Sequence, residues 1–202
     1  MEYLEEVGSV RHLPDGVFCV PLEGIQSVNN VGIPLVAIAF MEFVESEGLE
    51  TVGIYRLSST KSKMEDLRRV LAAGHYAELK NREKWDINTV SCLFKQWLRE
   101  LSHPLCTFEL YDSFVRLAAA LKASAFKEVI AKLPHNYKIV LQAVLKHLNQ
   151  VTSRSSVNKM EALGLGAIFG PNIIRPEFDS AIQIEKQNAV MEFMIKNVAD
   201  IF

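Results

Sequence analysis

A chain of 202 residues, 49% of them hydrophobic, is long enough to bury one sizeable core and fits one large domain better than two small ones. Its 22 basic and 24 acidic residues leave a formal charge of −2, so nothing attracts nucleic acid globally and any positive site has to be local. Cys19, Cys92 and Cys106 are odd in number and widely spaced, with no CxxC and no nearby histidine pair, which argues against a disulfide framework or a zinc site and for a reducing, cytosolic setting.

The opening MEYLEEVGSVRH is acidic where a secretory leader would be basic and then apolar. The most apolar stretch, VGIPLVAIAFMEFV, is interrupted by Gly32, Pro34 and Glu42, so no membrane span is expected. Residues 1–30 read as an irregular segment packed on the core, with a turn at Pro14-Asp15-Gly16, a short extended run at VFCVPL and a break at Asn29-Asn30.

Helical periodicity begins at Ile33, where Ile33, Val36, Ile38, Phe40, Met41 and Val44 are apolar nearly all round the helix before Gly48 stops it; such breadth predicts a central helix. STKSKMEDLRRVLAAG opens on hydroxyl residues suited to capping, spaces Met64, Leu67, Val70 and Leu71 at three and four, and closes on Gly74. Asp86 is a candidate N-cap for a strongly periodic helix carrying Ile87, Val90, Leu93, Phe94, Trp97, Leu98 and Leu101 on one side. Further helices are expected at 108–121, 124–133, 136–152, 159–169 and 187–201, with the weakest pattern at roughly 175–186. No alternating strand pattern of useful length competes, and no internal repeat is present. The fold class is all-α, a single-domain bundle of about eight to nine helices over residues 1–202.

No enzyme motif is recognisable, although catalytic groups converge in three dimensions and spacing does not exclude them. The five histidines include no ligand-spaced pair and read as ordinary surface or partly buried residues. GLGAIFG at 164–170 invites a phosphate-loop reading, but it is GxGxxxG, lies within a helical pattern and follows no strand; close helix packing by small residues is the better account. On the 86–101 helix, Asn88, Cys92, Lys95 and Arg99 fall on one flank, so Lys95 and Arg99 form a small positive stripe that by itself reads as a solvated face. Arg56, in EGLETVGIYRLSST between two helices, reads by itself as a surface loop arginine paired with a carboxylate such as Glu47 or Glu50.

Taken in order, these segments resemble the GTPase-activating domain for Rho-family small GTPases, the RhoGAP domain, from about Val17 to the last helix. FCVPLE is similar to the family's FGVPLE. IPLVAIAFMEFVESEGLETVGIYRLSS is similar to its apolar helix followed by GL-x-x-x-GI-[FY]-R-x-S. KQWLRELSHPL is similar to K-x-x-L-R-x-L-P-x-PL, and NKMEALGLGAIFGPNIIRP to its NKM and FGPN-L-[LI]-RP block.

The resemblance implies that Arg56 is an arginine finger offered in trans to a Rho-, Rac- or Cdc42-type GTPase, that Arg99 helps hold the finger loop, and that Lys95 and Asn172 contact the partner's switch regions. It implies no cofactor of the domain's own, since GTP and Mg²⁺ are carried by the partner, and no turnover without that partner. It also implies a cytoplasmic location, with membrane recruitment through flanking domains or the GTPase.

The chain departs from the family pattern at Val52, Ser59, Ser102, Gly164 and Gly166. Ser59 would stiffen the loop if position 59 needs positive φ, and loss of an asparagine at 164 would remove polar support near the partner surface. These departures leave room for an alternative, a catalytically weak RhoGAP-like module that binds or scaffolds. A stand-alone hydrolase is a third and more distant reading.

Overall fold

In the computed structural model, which describes residues 16–25, 27, 32–81, 83–178 and 182–202, the chain is built from ten α-helices and short 3-10 turns, with no strand among the described residues. Helix α1 (Leu35–Glu47) starts after Pro34 and ends where the Gly48 N–H bonds to Val44 O. Val36, Phe40 and Val44 are fully buried, the outcome its all-round apolarity predicts. Helix α2 (Lys61–Ala72) is amphipathic and buries only Leu67 and Leu71; Thr60 occupies its N-cap without making a side-chain cap bond. Helix α3 (Ile87–Glu100) is capped as expected, Asp86 Oδ1 accepting from the Thr89 N–H at 2.9 Å.

The 108–121 segment forms a shorter helix, α4 (Tyr111–Arg116), continued by a 3-10 turn at Leu117–Ala119. Then come α5 (Ala123–Ile130) and the long α6 (His135–Thr152). The helix expected at 159–169 is shifted toward the C-terminus, and a short helix that the sequence did not suggest precedes it. Helix α7 (Ser155–Asn158) ends at Lys159 in a left-handed conformation (φ 61°), and α8 (Ala162–Ile173) starts afresh and runs on through Pro171. Proline there removes a bond to the carbonyl of Ala167, four residues back on the exposed side of the helix, which is why the sequence-based end at 169 falls short. The last predicted helix is divided into α9 (Ile184–Lys196) and α10 (Val198–Ile201), with Asn197 between them.

Helices α1, α3, α6 and α8 surround the core, and α9 closes over α8. At the centre Phe40 stacks on Phe94 at 5.3 Å and Phe94 on Trp97 at 6.3 Å. The GLGAIFG segment lies in α8, where Gly166 and Gly170 face α9 so closely that a Cβ at 166 would sit 2.8 Å from Asn188 O. Gly164 does not share this role, having nothing nearer than Met160 Cε at 3.8 Å.

Of the N-terminal expectations, His12, Pro14-Asp15 and Asn29-Asn30 lie outside the described residues. Val17, Phe18, Leu22 and Ile25 are buried in the core, and the Trp97 indole donates to Val17 O at 2.9 Å. VFCVPL is not a plain extended run: it bends at Cys19 (φ 57°) and enters a 3-10 turn at Leu22–Gly24. The three cysteines are free thiols.

Candidate functional site

Between α1 and α2 the chain must reverse within residues 48–60, and it does so in a tight pair of turns. The Ile54 N–H bonds to Thr51 O, and the Arg56 and Leu57 N–H groups both reach Gly53 O at 2.9 and 3.0 Å. Gly53 has φ 75°, which glycine adopts freely. Tyr55 has φ 67°, which a tyrosine adopts only at a cost of about 1–3 kcal/mol. This peptide, immediately before Arg56, is therefore held by its surroundings.

Three anchors hold it. From α7, Asn158 O accepts the Gly53 N–H at 2.8 Å, while the buried Asn158 side chain donates to Leu49 O and Val151 O and accepts from the Met160 N–H. From α3, the Lys95 ammonium donates to the Tyr55 carbonyl. From below, the fully buried Tyr55 ring meets Phe169 edge-on at 4.9 Å, and its hydroxyl lies 2.5 Å from His147 Nε2. His147 is only 2% exposed, which corrects the expectation of a surface or partly buried histidine; its Nδ1 lies 2.7 Å from Glu45 Oε1 on α1. Burial, and then the charge of Glu45, push the Tyr55 phenol well above its ordinary value.

Beyond Tyr55 the loop runs along α3 toward its N-terminus. Leu57 O accepts from the Cys92 thiol at 3.3 Å, and Ser59 Oγ shares a 2.7 Å hydrogen bond with the Thr89 hydroxyl, itself bonded to the cap Asp86. Thus Lys95, Cys92 and Thr89 on α3 take the loop in turn, and Arg56 is exposed between them and solvent. Its guanidinium folds back over Gly53, Nη2 lying 3.5 Å from where a Cβ would stand, and among the described residues it makes no salt bridge to Glu47, Glu50 or any other carboxylate. Val52 and Leu57, 56% and 45% exposed, flank it with apolar surface.

Beside the loop lies an open groove of about 680 Å³, lined by Ser58, Ser59, Cys92, Lys95, Arg99 and Asn172 among others. The structure thus brings Lys95, Arg99 and Asn172 into one depression next to Arg56. Lys95 is half-buried, and desolvation holds its ammonium below the usual lysine value, with Cys92 acting in the opposite sense. It is Lys95, one turn earlier than Arg99, that bonds the loop here; Arg99 is exposed. Asn172 Nδ2 donates to Ile168 O within α8. Arg175, next to this cluster, is lowered by burial and then by the positive charge of Arg99. It donates to Leu101 O and lies over the Phe108 ring at 5.0 Å.

The departures noted in the sequence have structural readings. Ser59 is not at a positive-φ position, so the loop is stiffened by its hydroxyl bond to Thr89 rather than by backbone strain. Ser102 uses an N–H that proline would lack, donating to Val20 O at 3.4 Å. Sequence reasoning missed Glu45, Thr89, His147 and Asn158, although the NKM segment that contains Asn158 was a signal. Among the described residues no group of His, Cys, Asp and Glu is arranged to hold a metal ion, and no helix is long and apolar enough to cross a membrane.

Fold and site together define an all-α domain that presents an exposed arginine from an anchored turn beside a polar groove lined by Lys95, Arg99 and Glu100. The sequence profile of the RhoGAP domain matches residues 34–178, well over half of the chain, and the chain belongs to that family. It is 30% identical over 190 residues to Rho GTPase-activating protein 10 of Homo sapiens, covering 89% of this chain and 24% of that protein. It is 36% identical over 184 residues to GTPase-activating protein CdGAPr of Drosophila melanogaster, covering 84% of this chain and 10% of that protein. The chain therefore spans about a quarter or less of the length of these two relatives. The crystal structure of human Rho GTPase activating protein 15 is similar at a TM-score of 0.85 and 27% identity, covering 93% of this chain and 92% of that one.

Proposed function

We propose that this domain binds a GTP-loaded Rho-family small GTPase of the Rho, Rac or Cdc42 type and accelerates its GTP hydrolysis, with Arg56 entering the partner's active site in trans. The observation that carries the reading is the contrast at residues 53–59: backbone and neighbouring side chains are tied to α3, α6 and α7, while the Arg56 guanidinium is exposed. A planar, permanently charged group with several donors suits the charge that develops on the phosphoryl oxygens and the leaving-group bridge. The GTPase supplies Mg²⁺, the phosphate cradle and the water-orienting side chain, so the domain needs no cofactor of its own and turns over no GTP alone. Lys95, Arg99 and Asn172 face the partner from the groove, Lys95 also fixing the arginine's own loop.

The test is single-turnover hydrolysis by a panel of Rho-, Rac- and Cdc42-type GTPases with the wild-type domain, Arg56→Ala and Arg56→Lys. For Ras and its activator the arginine is worth roughly 10³–10⁵ in rate. Arg56→Ala is expected to lose most of the acceleration and Arg56→Lys nearly as much, because lysine lacks the fork of donors. No acceleration by the wild type on any panel member would sink the proposal; tight binding to a non-hydrolysable GTP complex without acceleration would leave a binding module.

A further inference from the structure

A chain of hydrogen bonds runs from the half-buried Glu45 through buried His147 to the residue before Arg56. His147 on α6 is 102 residues from Glu45 on α1 and 92 from Tyr55, yet it meets the Glu45 carboxylate at 2.7 Å and the Tyr55 hydroxyl at 2.5 Å. The partners constrain the proton positions. A carboxylate can only accept, so His147 carries its proton on Nδ1 toward Glu45 Oε1. In the tautomer whose only ring proton is on Nδ1, Nε2 is an acceptor and takes the hydrogen bond from the Tyr55 hydroxyl. Burial and the nearby Glu45 charge raise the phenol's pKa and keep it protonated, with an O–H to give.

Burial of a tyrosine ring does not require this arrangement. Phe94 and Phe169 already hold the ring at 6.3 and 4.9 Å, and a phenylalanine would fill the same space. What the hydroxyl adds is a fixed depth and rotation for a residue whose backbone is left-handed at φ 67°. The Lys95 ammonium fixes the same residue from the opposite end, through its carbonyl. Held at both ends, Tyr55 sets the direction in which the next residue leaves the loop.

We propose that Glu45, His147 and the Tyr55 hydroxyl form a positioning relay that fixes the presentation of Arg56, so that they set the rate of stimulated hydrolysis without touching the GTPase. The proposal rests on the reading of Arg56 as a residue supplied in trans. None of the three is a catalytic residue, since each acts through Tyr55.

The experiment compares Tyr55→Phe, His147→Gln, Glu45→Gln and the Tyr55→Phe/His147→Gln pair with wild type and Arg56→Ala. Stimulated hydrolysis is measured at increasing domain concentration, to separate the maximal rate from the concentration giving half of it. Tyr55→Phe is expected to lower the maximal rate roughly tenfold, the scale of one buried hydrogen bond, with the half-saturating concentration unchanged within twofold. The double variant is expected to lose no more than the worse single one. Glu45→Gln, whose amide oxygen still accepts from Nδ1–H, is expected to retain most of the rate.

Nuclear magnetic resonance on the domain alone supplies a readout independent of activity. The expected result is an Nδ1–H tautomer of His147, with the Arg56 amide shifted or broadened in Tyr55→Phe. A Tyr55→Phe maximal rate within twofold of wild type, additive losses in the double variant, or an Arg56 amide unmoved by Tyr55→Phe would each overturn the relay. Failure of wild type to accelerate any GTPase would overturn the proposed function instead, and the resonance measurements would then decide the relay.

Discussion

Gly164 and Gly166 lie two residues apart on α8, and the structure assigns opposite consequences to the same substitution. A Cβ at 166 would stand 2.8 Å from Asn188 O, 3.0 Å from Glu192 N and 3.2 Å from Glu192 Cβ. Two of those atoms are backbone of α9, which cannot step back easily because Val190, Met191 and Met194 are fully buried beneath it. Overpacking of this kind costs about 1–3 kcal/mol, and the close backbone contacts put it toward the upper end. Alanine recovers about 1 kcal/mol of helix propensity, leaving a net loss of about 1–2 kcal/mol. At about 2–4 °C per kcal/mol for a chain of this size, Gly166→Ala should lower Tm by about 4 °C.

At 164 the nearest atom is Met160 Cε at 3.8 Å, an ordinary contact, and only the propensity gain of about 0.5–1 kcal/mol remains. Gly164→Ala should therefore raise Tm by about 2 °C. Thermal unfolding followed by circular dichroism measures both. If Gly166→Ala stabilised the domain, or the two variants shifted together, the assignment of Gly166 to close helix packing would be refuted.

Asn158→Ala strips partners from Leu49 O, Val151 O and the Met160 N–H at once. A loss of about 3 kcal/mol in urea unfolding is expected, and under 1 kcal/mol would show that the latch is dispensable. Ser59→Gly removes the 2.7 Å bond to Thr89 and loosens the backbone; amide exchange over residues 55–59 should quicken roughly fivefold, an unchanged rate counting against the stiffening assigned to Ser59. At Asp86 burial acts to raise the carboxyl pKa, but Lys63 and the Thr89 N–H and hydroxyl together hold it below its ordinary value. Its contribution is thus present above the unfolded-state value and is lost as pH falls through the folded one. Asp86→Asn should flatten that acid-side slope of the urea midpoint while keeping the cap at neutral pH, and an unaltered slope would refute the assignment.

Where information is local, the sequence was sufficient. The apolar faces of α1, α3 and α6 and the Asp86 cap were legible because helical period and capping depend on neighbours within a few residues. The loop position of Arg56 between two helices was legible for the same reason. Boundaries at Lys159, Pro171 and Asn197 were not, because a left-handed residue, a tolerated proline and a helix break depend on what packs beside them. The histidines show a related limit: His147 shares a helical face with Val140, Val144 and Val151, a local sign of burial, but its partners come from α1 and the loop after it and leave no such sign.

The stripe of Lys95 and Arg99 followed from periodicity, but its use did not, since the atom Lys95 binds is the carbonyl of Tyr55 and a backbone carbonyl has no signature in residue identity. The sequence by itself determined where the long helices lie, which faces of them are apolar and that an arginine lies between two of them. Tertiary structure alone decided that Glu45, His147, Lys95 and Asn158 converge on that turn, because contacts between residues far apart in the chain exist only once packing brings them together.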